Sequence, residues 1–228
     1  YKGIKWNGDY TETAELTNNN NNTWSTNWYF ESNKAYYHFR TVNSGTPIVS
    51  SAENDYFVIN SGSVSSTDPH WGAPMTKEPV YSVSNGYEGT LSPAIGATTE
   101  NINITDQHMM SNITVQLQTT TGNDKVTLAG TKVYITKLHE KGQVQMGNGL
   151  VIPTDMKDQL NMDGNPEGTL FSYAVVPQAL VRGTTDDDYV GITIVTGDNN
   201  QYYIVKKLSE IKAETVDIEK NQKQGEAI

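Results

Sequence analysis

His108, Met109 and Met110 stand together just ahead of an alternating apolar stretch. Thioethers beside an imidazole are donors for a soft ion such as Cu(I). In an extended segment, however, Met109 and Met110 project to opposite faces, so one ion cannot take both. No second Met- or His-rich stretch supplies the missing ligands, and His38, His70 and His139 are scattered along the chain. No metal site is assigned. Met109 or Met110 reads instead as an adaptable filler at a junction between domains.

The acidic groups lead no further. Asp186, Asp187 and Asp188 form a contiguous triplet, without the alternate spacing and glycine of a calcium loop, so a solvated loop is expected. Asp163 and Glu167 have the residue types of a glycosidase pair, but that chemistry depends on a separation across a cleft. A polar turn is the simpler reading. There is no G-x-S-x-G, H-E-x-x-H or P-loop, and "IGATTE" (95–100) is too poor in glycine to cradle phosphate. The sequons at Asn103 and Asn112 fall in apparent strands and are taken as chance. No catalytic residue and no cofactor are expected, so the chain reads as a non-enzyme.

Aromatic side chains remain. Trp24, Trp28, Tyr29, Tyr36, Tyr37, Trp71, Tyr81 and Tyr87 are concentrated in the first hundred residues. Exposed rings stack on sugars or dock a partner, which makes Trp24, Trp28 and Trp71 the candidate ligand-binding residues. The competing reading is that these rings fill the core of a small sandwich short of aliphatic residues.

Composition narrows the partners. Of 228 residues only 18% are charged and 36% hydrophobic, and the net charge is −10. Basic residues are sparse, with arginine only at Arg40 and Arg182. Such a chain is a poor ligand for nucleic acid or for an anionic membrane surface. Cysteine is absent, which removes disulfides, thiol catalysis and Cys-based zinc sites. No apolar run approaches the ~18 residues of a membrane-spanning helix. The first residues show no signal-peptide pattern, so any targeting segment is expected either to have been removed or to lie outside this sequence.

The elements that must position these groups are strands. "WSTNWYFESNKAYYHFR" (24–40) reads as a hairpin of two aromatic runs turning near Ser32-Asn33. "DYFVINSGSV" (55–64) is a strand, and Asn85-Gly86 is a type I′ hairpin signal. The run Asn18–Asn22 is low complexity and reads as a loop tip. Beyond residue 105, Ile113, Val115 and Leu117 alternate with polar residues. Val126 and Leu128, then Val133 and Ile135, repeat the pattern after a turn at 121–124. "GNGLVIP" (147–153) is a short strand closed by Pro153, and 169–181 an apolar run broken at Pro177. "YVGITIVTGDNNQYYIVKKL" (189–208) is the clearest hairpin. Helical signals are weak: "MKDQLNM" (156–162) allows a turn or two, and 208–228 reads as a frayed tail. Many short strands with turn chemistry between them predict an all-β chain of two tandem β-sandwiches, 1–104 and 105–228.

The ordered segments "NINITDQHMMSNITVQL", "KVTLAGTKVYIT", "FSYAVVPQALVRG" and "VGITIVTGDNNQYYIVKKLSEI", with "WYFESNKAYYHFR" and "WGAPM" before them, resemble the fimbrillin family of Bacteroidales surface proteins, Mfa-like branch. The resemblance covers most of the chain. It implies two transthyretin-like β-sandwich domains in a pilus or pilus-associated protein, made as a lipoprotein and displayed at the outer membrane. The implied partners are other pilin subunits, joined by strand addition, and glycans or proteins of host or microbial surfaces. Family members continue into further C-terminal strands, the usual donors, so the second domain is expected to lack its last strands at Ile228.

Overall fold

The computed structural model describes residues 1–7, 10–30, 35–43, 48–49, 55–64, 68–98, 100–118, 127–178 and 189–207. The first half forms β1 (Lys2–Asn7), β2 (Tyr10–Glu15), β3 (Thr17–Asn18), β4 (Trp24–Ser25), β5 (Tyr36–Val42), β6 (Tyr56–Asn60), β7 (His70–Ala73), β8 (Ile95–Gly96) and β9 (Thr105–His108). The second half forms β10 (Ser111–Gln116), β11 (Lys132–Ile135), β12 (Leu138–Gln145), β13 (Val151–Lys157), β14 (Leu160–Asn161), β15 (Asp163–Gly164), β16 (Leu170–Val175), β17 (Tyr189–Val195) and β18 (Gln201–Lys207). One 3-10 turn at Glu88–Thr90 is the only helical element among the described residues. The chain is all-β.

Two compact units emerge, each made of three segments. The first holds Tyr1–Val58, Asp68–Met109 and Gln143–Val151; the second holds Ile59–Thr67, Met110–Gly142 and Ile152–Ile228. A division at residue 105 does not contain the exchange of 59–67 and 143–151.

In the first unit the sheet runs β2-β1-β5-β7-β9, with β8 beside β5. Strand β5 is covered on both faces: Tyr37 and Phe39 are buried on one, Arg40 and Val42 on the other, and only Tyr36 at its start is exposed. Ile4, Tyr37, Phe57 and Trp71 are sealed in this core. Arg40 is buried with them. Its Nε and Nη2 donate to Gly147 O at 2.9 and 2.6 Å, and its Nη1 to Phe39 O at 2.7 Å. The guanidinium also lies 5.0 Å from the Trp6 ring and 5.5 Å from Trp71. Burial pulls its pKa down to about 10, so it stays charged at neutral pH, with carbonyls and indole faces replacing its water.

The second unit carries the sheets β14-β11-β17-β18 and β10-β16-β15. Val115, Val133, Ile135, Phe171, Ile192 and Ile194 belong to one buried cluster between alternating strands. A further sheet pairs β13, β12 and β6.

Several expectations hold. The 189–208 hairpin forms, with Val195 opposite Gln201 and Ile192 opposite Ile204. The run Asn18–Asn22 does cap a hairpin, β3 against β4, with Asn20 and Asn22 in the left-handed region. Asparagine tolerates that conformation better than most residues.

Others are corrected. Trp28–Phe30 is not a strand, and the turn placed at 32–33 lies outside the described residues. Trp24–Ser25 takes the pairing instead, because the asparagine turn supplies the reversal. Asn85-Gly86 does close a turn, with Gly86 N–H donating to Ser82 O at 2.8 Å, but only Gly86 has positive φ. That is not a type I′ hairpin; Gly86 is needed because a Cβ there would meet Asn148 O at 2.5 Å. Pro153 lies within β13, not at its end; β13 is the edge of its sheet, where a missing N–H is tolerated. Residues 156–162 form the end of β13 and then β14, with no helical turn. The readings at 121–126, Asp186–Asp188 and 208–228 fall outside the described residues.

Candidate functional site

A groove of about 730 Å³ lies in the first unit. Its floor includes Lys5 of β1 and Phe39 and Thr41 of β5, and its walls include Trp24, Trp28, Tyr29 and the segment 100–104. Chain geometry explains the placement. The β3–β4 hairpin turns the chain back, delivering residues 24–30 over the sheet as an irregular wall. Lys5 is almost wholly buried beneath it; its Nζ donates to Tyr29 O at 3.1 Å, pairs with Glu12 at 3.1 Å and sits 4.7 Å from the Tyr37 ring centre.

The sequence-predicted tryptophans separate here. Trp24 lines the groove and is 41% exposed, set edge-on to Tyr1 with ring centres 4.7 Å apart. Trp28 also lines it, packed against Phe39. Trp71 is 0% exposed. It stacks on Tyr87, and its Nε1 donates to Met146 O at 3.1 Å, so its ring is core. Tyr29 is the most exposed ring of the wall, at 76%.

Asp163 and Glu167 are exposed on the hairpin between β15 and β16. Asn165 builds that turn, its Oδ1 accepting from the N–H groups of Thr169 and Leu170 at 2.8 and 3.0 Å. A side chain already organising the backbone this way marks a turn (the polar reading).

A cluster that the sequence reading missed lies at the other side of Asp106, which also lines the groove. Strands β7 and β9 pair antiparallel with His70 directly opposite His108 and Gly72 opposite Asp106. His70 Nε2 lies 3.1 Å from Asp68 Oδ2, and His70 Nδ1 lies 2.5 Å from Asp106 Oδ2. His108 Nδ1 lies 2.7 Å from Asp68 Oδ1, and Tyr1 OH donates to Asp106 Oδ2 at 2.8 Å. Burial pulls the His70 pKa down, but the hydrogen bonds and charges of Asp68 and Asp106 outweigh it and leave the net shift upward. At Asp68 burial pushes up, and the two imidazoles reverse it to a net lowering. Burial, then Asp106, pushes the Tyr1 hydroxyl up to about 12. Met109 is buried and takes no part in this cluster; its N–H donates to Pro69 O at 2.9 Å.

The sequence carries a signal for the cluster: Asp68-Pro69-His70 and Asp106-Gln107-His108 are both D-x-H. In a strand that spacing puts Asp and His on one face, and antiparallel pairing superimposes the two faces. Only the register, which no single segment reveals, brings them together.

No protein-family model matches the chain, and no curated protein matches it in sequence. Among solved structures, a candidate cell adhesion protein of Bacteroides uniformis is similar with a TM-score of 0.58. The likeness covers 89% of this chain and 76% of that one at 14% identity. A candidate cell adhesion protein of Bacteroides ovatus is similar over 75% of this chain and 66% of that one, also at 14% identity, with a TM-score of 0.37. That second likeness adds no argument. The first shows a shared all-β fold. No helix among the described residues is long and apolar enough to cross a membrane.

Proposed function

We propose that this chain is a structural or accessory subunit of a bacterial cell-surface fimbria, non-enzymatic, assembling by strand addition and contributing to adhesion. The observation that supports the reading is the fold likeness, over 89% of this chain, to the Bacteroides uniformis protein, itself described as a candidate for cell adhesion. The ordered fimbrillin-like segments and the acidic, cysteine-free composition support it. On this reading the two units are transthyretin-like sandwiches, the protein is a lipoprotein of the outer membrane, and its partners are other pilin subunits. Strand addition needs an open edge. Among the described residues β18 ends its sheet, with Tyr202 and Tyr203 exposed along it. An edge strand of this kind is a template for a further strand.

The test mixes the purified chain with its co-encoded neighbouring subunits and the processing protease. Denaturant-resistant multimers are expected, and they should be reduced by Tyr203→Lys, which charges the edge. Absence of multimers under those conditions overturns the assembly reading.

A second reading, a surface carbohydrate-binding module, is favoured by one observation: exposed Trp24 and Tyr29 share a groove. Sugar stacking predicts glycan-array binding that is lost in Trp24→Ala. Trp71→Ala is uninformative there because its ring is buried. Flat responses across the array reject this reading.

A further inference from the structure

We propose that Asp68, His70 and His108 form a site for one borderline divalent metal ion, of the class zinc represents, with Asp106 as the positioning carboxylate behind His70. One ligand atom from each of the three lies within 4.8 Å of the others. A tetrahedral ion with ligands near 2.0–2.1 Å needs donor separations of about 3.3 Å. His70 Nε2 is 3.1 Å from Asp68 Oδ2 and His108 Nδ1 is 2.7 Å from Asp68 Oδ1, so each imidazole already faces one oxygen of that exposed carboxylate, and a small turn of it offers a single oxygen to both. His108 is 56% exposed at its side chain, so its ring can turn to close the third edge without disturbing the core.

The support behind His70 points the same way. His70 is the least exposed of the three side chains, at 16%, and is engaged from behind through Nδ1 by Asp106. Asp106 is in turn held by the Tyr1 hydroxyl. A carboxylate accepting from Nδ1–H leaves Nε2, which lies 3.1 Å from Asp68 Oδ2, as the nitrogen on which an ion would replace the proton shared with that carboxylate. Carboxylate, imidazole and metal in that sequence are the usual arrangement behind a metal-bound histidine.

Donor chemistry selects the ion. Two imidazoles and one carboxylate suit zinc and its neighbours, whereas magnesium and calcium demand more oxygen. Three protein donors at an exposed position leave a coordination site facing solvent. The ion therefore has room for a water or for a donor brought by something that binds beside the groove, which Asp106 also lines.

The test uses the tag-free full chain, stripped with chelator and titrated with zinc chloride by calorimetry. One zinc per chain is expected, with no saturable heat from magnesium chloride. His70→Ala and His108→Ala should each weaken binding more than tenfold. Asp106→Asn, which keeps the shape but loses the charge behind His70, should weaken it by about 10–100-fold. His139→Ala, in the second unit, should leave it unchanged. Near-ultraviolet circular dichroism checks folding; if His70→Ala is unfolded, the exposed His108→Ala decides alone. A folded His108→Ala chain that binds zinc as the parent does, or a parent that shows no one-to-one saturation, overturns the site and leaves the four residues as an ion-pair cluster.

Discussion

Trp71 and Tyr87 stack with ring centres 5.4 Å apart and 8° between their planes, and Tyr81 meets Tyr87 edge-on at 5.2 Å. Burial first, and the neighbouring Tyr81 second, pushes the Tyr87 hydroxyl up to about 12 from its ordinary 10.0. Linkage fixes the sign of the consequence. Between pH 10 and 12 the unfolded chain releases this proton and the folded chain keeps it, so stability falls as pH rises. By pH 11 the loss from this one group is about 1.4 kcal/mol. Urea midpoints at pH 9 and pH 11 should differ accordingly, with a smaller drop in Tyr87→Phe. Equal drops in the two proteins would mean that Tyr87 is not the group responsible. Residue types alone flagged these rings as either platform or core. Alternation could not decide, because Trp71 becomes core only once 143–151 lies against it, a contact remote in sequence.

At the scale of elements, local chemistry was most legible where a turn and two alternating strands agree. The β17–β18 hairpin and the alternation of β10 and β11 were readable because each buries one face and uses polar loop residues. Trp28–Phe30 was not, since aromatic runs favour strands but tertiary packing took them for a groove wall instead. Met156–Met162 was misread for a similar reason: a short run lacking a clear period adopts whichever pairing its neighbours offer. One turn gives a direct test. Gly149 has φ +69, and a Cβ there would stand 3.0 Å from both the Trp71 and Tyr87 rings. Gly149→Ala should therefore cost at least the 1–2 kcal/mol of a left-handed alanine, ~2 kcal/mol in urea unfolding with an unchanged slope. Gly147→Ala, with open space at its Cβ, should stay within about 0.5 kcal/mol. Equal stability of the two variants would mean that the Trp71–Tyr87 stack does not pack against this turn.

For the whole molecule, the all-β class was legible from strand density and turn residues, while the composition of the units was not. A sequence reading divides a chain at points; here segments 59–67 and 143–151 each belong with the other half of the chain. The same non-local pairing hides His70 from His108, which are 38 positions apart and yet opposite one another. On the proposed reading, function at this scale rests on whether an open sheet edge is used. Amide hydrogen exchange over Gln201–Lys207 compares the isolated chain with the assembled multimer and reads that edge directly. The account predicts that these amides exchange markedly more slowly on assembly, as a neighbouring strand occupies the outer side of β18. Multimers whose β18 amides exchange as fast as those of the single chain would contradict it.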